Sequence, residues 1–160
     1  MHKVGHSMIK AEMHRTGALL AGEMSGHFFF ADNYYGYDDA LYAGLRLCNI
    51  LACSATPLSG LLKDWPQTVN TPEIRLDCPE GTNFELVVKA RELFKGRYPV
   101  NDVDGVRLDF PDGWGLLRAS NTQPAIVLRF EAESQSRLAE IRKIIEEPLE
   151  GWLKEFQTSA

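Results

Sequence analysis

The sequence has few cysteines, no long hydrophobic run and no excess of positive charge. Its cysteines, Cys48, Cys53 and Cys78, are odd in number and form no regular framework, which favours reduced thiols in the cytoplasm. No run approaches the ~18 apolar residues of a membrane span, and the polar N-terminus lacks the hydrophobic region of a signal peptide. The formal net charge of −5 argues against general binding to nucleic acid or to an anionic membrane.

The sequence also offers little for a metal ion. Four histidines are present, and His2 and His6 are four residues apart, but no third ligand follows at a recognisable spacing. We therefore predict no metal site and no cofactor in this chain. The composition, with 44% hydrophobic and 24% charged residues over 160 positions, is that of a globular protein with one domain or two small ones. Any anion binding must then be local.

The most informative stretch is G-E-M-S-G-H, residues 22–27, which lies between two short apolar runs typical of buried strands. Positions 23, 25 and 27 carry a carboxylate, a hydroxyl and an imidazole. In an extended conformation, alternate side chains project to the same side. Such a group of donors and acceptors suits a polyhydroxylated ligand such as a sugar. The alternative is a polar hairpin loop without a ligand.

A second polar stretch is R-A-S-N-T-Q-P, residues 118–124, which connects two predicted strands. An arginine can bond two oxygens of a phosphate in parallel, and short side chains and loop amides can bond the others. The same residues also occur in turns, where they bond their own backbone. The sequence therefore indicates either an anion-binding loop or a simple turn.

Hydrophobic periodicity predicts a largely helical first region and an α+β second region. Asp38 is the predicted N-cap of the second helix, with Asp39 in its first turn, and Thr82 or Asn83 is the predicted cap of the third. Pro148 is expected to bend or break the last helix. The predicted helices cover residues 3–16, 38–55, 58–65, 83–95 and 135–156. The predicted strands cover residues 18–21, 28–31, 73–78, 106–110, 114–118 and 125–131.

Both polar stretches resemble motifs of the α-D-phosphohexomutases, in their phosphomannomutase/phosphoglucomutase branch. Residues 22–27 resemble the sugar-binding loop, residues 118–124 resemble the phosphate-binding loop, and Gly5-His6-Ser7 matches a G-H-S motif of the active-site cleft. The resemblance covers essentially the whole chain but only the C-terminal part of the family's architecture.

The resemblance implies a two-domain fold. Residues 1–66 would be the C-terminal half of the family's third domain, a truncated mixed α/β structure, and residues 67–73 a hinge linker. Residues 74–160 would form the fourth domain, an α+β unit with an antiparallel sheet and two helices, similar to the TATA-box-binding protein. The hinge would swing the last domain to close the cleft, an expectation motivated by the prolines at 66 and 72.

The resemblance also implies roles for individual residues. The residues that would bind the sugar are Glu23, Ser25 and His27. The residues that would bind the phosphate are Arg118, Ser120, Asn121 and Thr122. His27 and His6 would line the cleft as catalytic residues, with His27 the better candidate to assist proton transfer. Gln123 stands where the family usually has Ser or Thr, so a contact from that position is not expected.

The implied reaction is reversible transfer of a phosphoryl group between C1 and C6 of a hexose phosphate, through a 1,6-bisphosphate. Its substrates would be mannose or glucose 1- or 6-phosphate. The family's phosphoserine loop (T-A-S-H-N-P) and Mg²⁺ loop (D-G-D-x-D-R) are absent from this sequence. We therefore expect Mg²⁺ only in the parent enzyme, and no mutase activity from this chain alone.

The chain thus looks like a C-terminal fragment whose partners include the missing N-terminal domains. Its truncated third domain should expose apolar surface in residues 17–31, which favours self-association. One alternative is a stand-alone module that binds phosphosugars without catalysis. A glycosidase would need a second carboxylate at a defined distance from Glu23, and only Asp38 or Asp39 is near in sequence.

Overall fold

The structure, a computed structural model, describes residues 2–158 and divides into two compact units, with the division between Pro66 and Gln67. Each unit has its own cluster of buried hydrophobic residues. The first unit is helical with a small hairpin and the second is an α+β sheet structure, which confirms the predicted fold class. Among the described residues, no helix combines the length and hydrophobicity required to cross a bilayer.

In unit 1, helix α1 and a β-hairpin pack around a small core of Ile9, Met13 and Phe29. The hairpin strands are antiparallel. Helix α1 ends where Gly17 adopts a left-handed conformation with φ of 69°, as the sequence predicts. The elements of unit 1 are α1 (His6–Thr16), β1 (Leu20–Gly22), β2 (Phe28–Phe30), α2 (Ala40–Ala52) and a 3₁₀ turn (Leu58–Gly60).

The predicted capping of α2 by Asp38 is wrong by one residue. Asp39 is the N-cap, and its Oδ1 accepts a hydrogen bond from the Tyr42 amide at 2.9 Å. The Tyr34 hydroxyl donates to Asp39 Oδ2 at 2.5 Å, and these two bonds lower the pKa of the Asp39 carboxyl. Asp38 instead forms a β-bridge with Phe29, which turns its carboxylate toward the hairpin. Because the backbone of Asp38 is held in this bridge, helix α2 is capped by the next residue, Asp39.

Helix α2 carries an apolar face with no buried residue. Leu41 and Leu45 are exposed, and so are Cys48 and Cys53. A periodic pattern shows that a face is apolar but not what covers it. The apolar residues of the hairpin region are exposed as expected, namely Leu19, Leu20 and Phe28.

Unit 2 is an antiparallel sheet with two helices packed on one face. The central strands alternate so that Val106, Leu117, Ile126 and Phe130 face α3 and α4. β3 and β4 both pair with β8, and the order continues through β7 and β6 to β5. The elements are β3 (Val69–Asn70), β4 (Ile74–Asp77), α3 (Thr82–Phe94), β5 (Val100–Asn101), β6 (Val106–Phe110), β7 (Gly113–Ala119), β8 (Ala125–Ala132) and α4 (Gln135–Thr158).

Half of the predicted linker over 67–73 is part of this sheet. Val69 pairs with Ala132, and the Thr71 amide donates to the Phe130 carbonyl at 3.0 Å. The Thr71 hydroxyl in turn accepts from the Phe130 amide at 3.2 Å, and Thr71 is buried. The β-branched residues in this segment favour a strand, which the flanking prolines obscured in the sequence. The hinge motion stays a prediction, and the segment that could provide it lies before Val69.

Helix α4 passes through Pro148 without a break. A proline removes one backbone hydrogen bond from a helix, but packing can outweigh that loss. Here Ile141, Ile145 and Leu149 are fully buried against the sheet on both sides of the proline. Of the two expected outcomes, the break is wrong, because buried residues on both sides of the proline anchor the helix to the core, and the bend stays a prediction.

Candidate functional site

The hairpin loop of unit 1 is a tight turn rather than the extended segment that the sequence predicts. The Glu23 amide donates to the His27 carbonyl at 2.9 Å, and the Gly26 amide donates to the Glu23 carbonyl at 3.0 Å. Gly26 has a φ of 87°, which a side chain would disfavour. Closing the turn places Glu23 and His27 opposite each other. The predicted group therefore assembles, but by turn closure instead of strand alternation.

The Glu23 carboxylate is the buried centre of the group. Its side chain is only 8% exposed, and its Oε1 accepts from the Gly5 amide at 3.1 Å. Its Oε2 lies 3.4 Å from His27 Nδ1 and 3.7 Å from His6 Nε2. The Gly5 amide thus fixes Oε1 of Glu23, while Oε2 faces the imidazoles of His6 and His27.

Two imidazole rings cover this carboxylate. The rings of His6 and His27 meet edge to face with centroids 4.8 Å apart. Ser25 Oγ lies 2.6 Å from His27 Nδ1. On the other side, Asp38 Oδ2 lies 3.8 Å from His27 Nε2 and 3.9 Å from His6 Nε2. The structure therefore brings together all four residues predicted in this unit, and adds Asp38, which the sequence indicated as a helix cap or as a second carboxylate near Glu23.

The fold brings together a possible metal ligand set that the spacing of residues in the sequence did not indicate. Ligand atoms of His6, Glu23 and His27 all lie within 4.8 Å of one another. Sequence reasoning looked for a third ligand near His2 and His6, whereas the fold supplies it from the hairpin. Two imidazoles do not fit Mg²⁺, which prefers an octahedral shell of oxygens. This group is therefore not a site for the Mg²⁺ that the family resemblance implies.

In unit 2, the polar loop follows β7 and is shaped by Ser120. Ser120 is buried, and its Oγ accepts from the amides of Gln123 at 3.2 Å and Thr122 at 3.4 Å. The serine oxygen thus forms the local turn that the alternative interpretation describes. The side chains of Asn121 and Thr122 are exposed beyond it. Ser120 thus folds the loop, while the side chains of Asn121 and Thr122 face solvent.

Asn83 supports this loop, and sequence reasoning missed that role. Helix α3 begins at Thr82 with Gly81 as its N-cap, so Asn83 lies in the first turn and does not cap the helix. It is buried, and its Nδ2 donates to the Ser120 carbonyl at 3.0 Å. A first-turn asparagine carries no sequence signal for a partner 37 residues away.

Arg118 is half-buried near the end of β7, opposite Val127. Among residues 2–158, no carboxylate lies within ion-pair distance of it. Gly105, with a φ of 87°, lies directly against its backbone, since an added Cβ would fall 2.8 Å from Arg118 Cα. A second arginine, Arg75, donates to Gln123 Oε1 at 3.1 Å. Of the two arginines at this loop, Arg118 has no carboxylate partner among the described residues. Arg75 is bound to Gln123, the last polar side chain of the loop.

Two family models match the chain. The model for phosphoglucomutase/phosphomannomutase, alpha/beta/alpha domain III, matches residues 1–69, and the model for the C-terminal domain of the same proteins matches residues 73–147.

Similar full-length proteins extend this comparison. A phosphoglucomutase of Neisseria gonorrhoeae is 50% identical over 145 residues, which are 89% of this chain and 31% of that protein. A phosphomannomutase/phosphoglucomutase of Pseudomonas aeruginosa is 43% identical over 150 residues, which are 93% of this chain and 32% of that protein. A crystal structure of a family protein from Burkholderia thailandensis superposes with a TM-score of 0.82 at 48% identity, covering 94% of this chain and 32% of the other. The chain thus spans about a third of the length of the relatives it matches.

Proposed function

The chain belongs to the phosphoglucomutase/phosphomannomutase family, and from that membership we propose that it binds a hexose phosphate. The first unit supplies the side chains that bind sugar hydroxyls, and the second unit supplies the loop that binds a phosphate. The observation that carries this proposal is the assembly of Glu23, Ser25 and His27 at one turn, where the buried carboxylate is fixed by the Gly5 amide.

In the whole protein, the proposed reaction interconverts hexose 1-phosphate and 6-phosphate through a 1,6-bisphosphate. That scheme requires one site to hold the sugar in two opposed orientations. Glu23 and Ser25 meet the requirement by binding the neighbouring 3- and 4-hydroxyls. A site that does not contact the 2-hydroxyl accepts both glucose and mannose.

His27 is the proposed proton-transfer residue, and His6 lines the same group. A general acid or base must lie within hydrogen-bond reach of the proton that it moves. The short contact between His27 Nδ1 and Ser25 Oγ fixes the ring, and the edge of His6 restricts it from the other side. His27 is 42% exposed, so its free edge is accessible to a hydroxyl group.

Arg118, Asn121 and Thr122 are the proposed direct phosphate ligands, with the Ser120 hydroxyl proton available to the same anion. Anchoring a phosphate that does not react supplies binding energy that positions the reacting end. The absence of a carboxylate partner for Arg118, among the residues that the structure describes, supports this role. Ser120 acts in binding and loop folding, and is not the phosphoryl donor.

The test is a titration of the 160-residue chain with glucose 1-phosphate and mannose 6-phosphate, followed by amide chemical-shift changes. We expect shifts at the hairpin loop and at residues 118–123. Arg118→Ala should abolish the shifts at the second loop, and Glu23→Gln should reduce those at the first. The charge-matched control is Arg91→Ala, an exposed position on α3. Equal losses with Arg91→Ala, or no shifts at either loop, would contradict the proposal.

A further inference from the structure

The side chains around the hairpin loop share a second property, since all of them are metal donors. Ligand atoms of His6, Glu23 and His27 converge from the start of α1 and from both ends of the turn, within 4.8 Å of one another. We propose that these three side chains bind a divalent transition-metal ion such as Zn²⁺. The inference goes beyond the proposed function and does not require a sugar to bind at the loop.

The two distances from the carboxylate to the imidazoles are close to those of a tetrahedral site, and all three donor atoms lie within 4.8 Å. Bonds of about 2.0–2.1 Å hold neighbouring ligand atoms about 3.3–3.4 Å apart in a tetrahedron. Glu23 Oε2 lies 3.4 Å from His27 Nδ1 and 3.7 Å from His6 Nε2. Binding the ion requires the two imidazoles to rotate toward each other and His27 to leave its contact with Ser25, while the buried carboxylate stays in place.

The surroundings fix the carboxylate ligand and place a second carboxylate beside the two imidazoles. Glu23 Oε1 is held by the Gly5 amide, which leaves Oε2 for the ion. The other nitrogen of His27, Nε2, faces Asp38 Oδ2 at 3.8 Å, which is longer than a hydrogen bond, and the same oxygen lies 3.9 Å from His6 Nε2. A carboxylate opposite the non-ligating nitrogen is the usual outer partner of a metal-bound histidine, because it orients the ring and raises its basicity. Glu23 and Asp38 also give the site a negative charge.

The donor set selects the kind of ion. Two imidazole nitrogens and one carboxylate oxygen suit Zn²⁺ and Co²⁺ rather than Mg²⁺. The His6 side chain is 58% exposed and that of His27 42%, so an ion can enter from solvent and keep a water in its fourth position. Ser25 Oγ lies 2.6 Å from His27 Nδ1 and must move aside when that nitrogen binds the ion, which its exposed side chain can do by rotation.

The experiment is a titration of the 160-residue chain with Co²⁺, followed by visible absorption, and then displacement of Co²⁺ with Zn²⁺. We expect one ion per chain. His27→Gln and Glu23→Gln should each weaken binding by more than about tenfold, because removing even an outer partner of a metal ligand costs about 10–100-fold in affinity. His14→Gln, on the exposed side of the same α1 helix, is the matched control and should leave the affinity unchanged. Far-UV circular dichroism verifies that each variant is folded.

Ser25→Ala separates this site from the proposed sugar site. It removes a competitor for His27 Nδ1 and should maintain or raise Co²⁺ affinity, whereas it should weaken the binding of hexose phosphate. No saturable binding at one ion per chain would overturn the inference. So would a loss with His14→Gln as large as that with His27→Gln, or a lower Co²⁺ affinity in Ser25→Ala.

Discussion

Asn83 Nδ2 donates a hydrogen bond to the carbonyl oxygen of Ser120 at 3.0 Å, and both residues are buried. This bond joins the first turn of α3 to the loop after β7. Because the same serine folds that loop through its hydroxyl oxygen, the backbone of the proposed phosphate site is held from two directions.

Asn83→Ala should destabilise unit 2 and weaken phosphate binding together. The substitution leaves a buried carbonyl unsatisfied, which costs about 1–3 kcal/mol. Chemical denaturation measures the loss of stability, and the hexose phosphate titration measures the loss of binding. Asn121→Ala is the control, because that exposed side chain should affect binding without affecting stability. A fully stable Asn83→Ala variant would contradict the buried bond.

Gly105→Ala should destabilise unit 2 by more than about 1 kcal/mol, because the residue has a left-handed φ and its added methyl group would meet the Leu117 carbonyl and Arg118. Gly151→Ala is the matched substitution in open space on α4, where alanine is the better helix former and should stabilise by about 0.8 kcal/mol. Urea denaturation of the two variants should therefore give shifts of opposite sign. A shift of the same sign would contradict this account of Gly105.

Acid should weaken unit 1 through Asp39. Its pKa is lowered by hydrogen bonds from Tyr34 and the Tyr42 amide, so its contribution is present above the ordinary aspartate pKa and is lost as the pH falls through the lowered value. Thermal melts at pH 7 and below about pH 4 measure the effect. Asp39→Asn can still cap α2, but should be less stable than the parent at pH 7 and differ less from it in acid. An equal gap at both pH values would contradict the charge assignment.

The isolated 160 residues should not turn over glucose 1-phosphate. The sequence contains neither the phosphoserine loop nor the Mg²⁺ loop of the family, so binding proceeds without a donor or a metal to stabilise the transferring group. A coupled assay for glucose 6-phosphate, with and without added Mg²⁺ and glucose 1,6-bisphosphate, tests this. Measurable turnover by the pure chain would refute it.

The exposed apolar face of α2 should promote self-association of the isolated chain. Leu41 and Leu45 are 84% and 68% exposed, and Ile50 is 55% exposed. Sedimentation velocity over a range of concentrations should show oligomers that decrease in Leu41→Lys/Leu45→Lys. Phe84→Lys, an exposed apolar position on α3, is the control. A monomer at all concentrations would contradict this expectation.

Periodicity and turn chemistry predicted the helices and most strands of unit 2, because its amphipathic patterns meet their partners within the chain. Predictions failed where one residue had competing partners. Asp38 forms a β-bridge with Phe29 instead of capping α2. Thr71 is hydrogen-bonded to Phe130 of β8, although a proline follows it.

At the site, the family motifs identified the residues but not their arrangement. The contact between His6 and Glu23 crosses 17 positions, and that between Asn83 and Ser120 crosses 37. Neither spacing has a local signature. The exposed face of α2 was also unpredictable, since hydrophobic patterning does not identify what covers a face.

The rim of the unit 2 sheet has a practical consequence. One outer strand, β5, has two residues, and the opposite rim is split by Pro72 into the short strands β3 and β4. Such interrupted rims give a neighbouring molecule little continuous backbone on which to add a strand. A shortened protein that begins at residue 67 should accordingly stay dispersed at concentrations that cause the longer chain to aggregate.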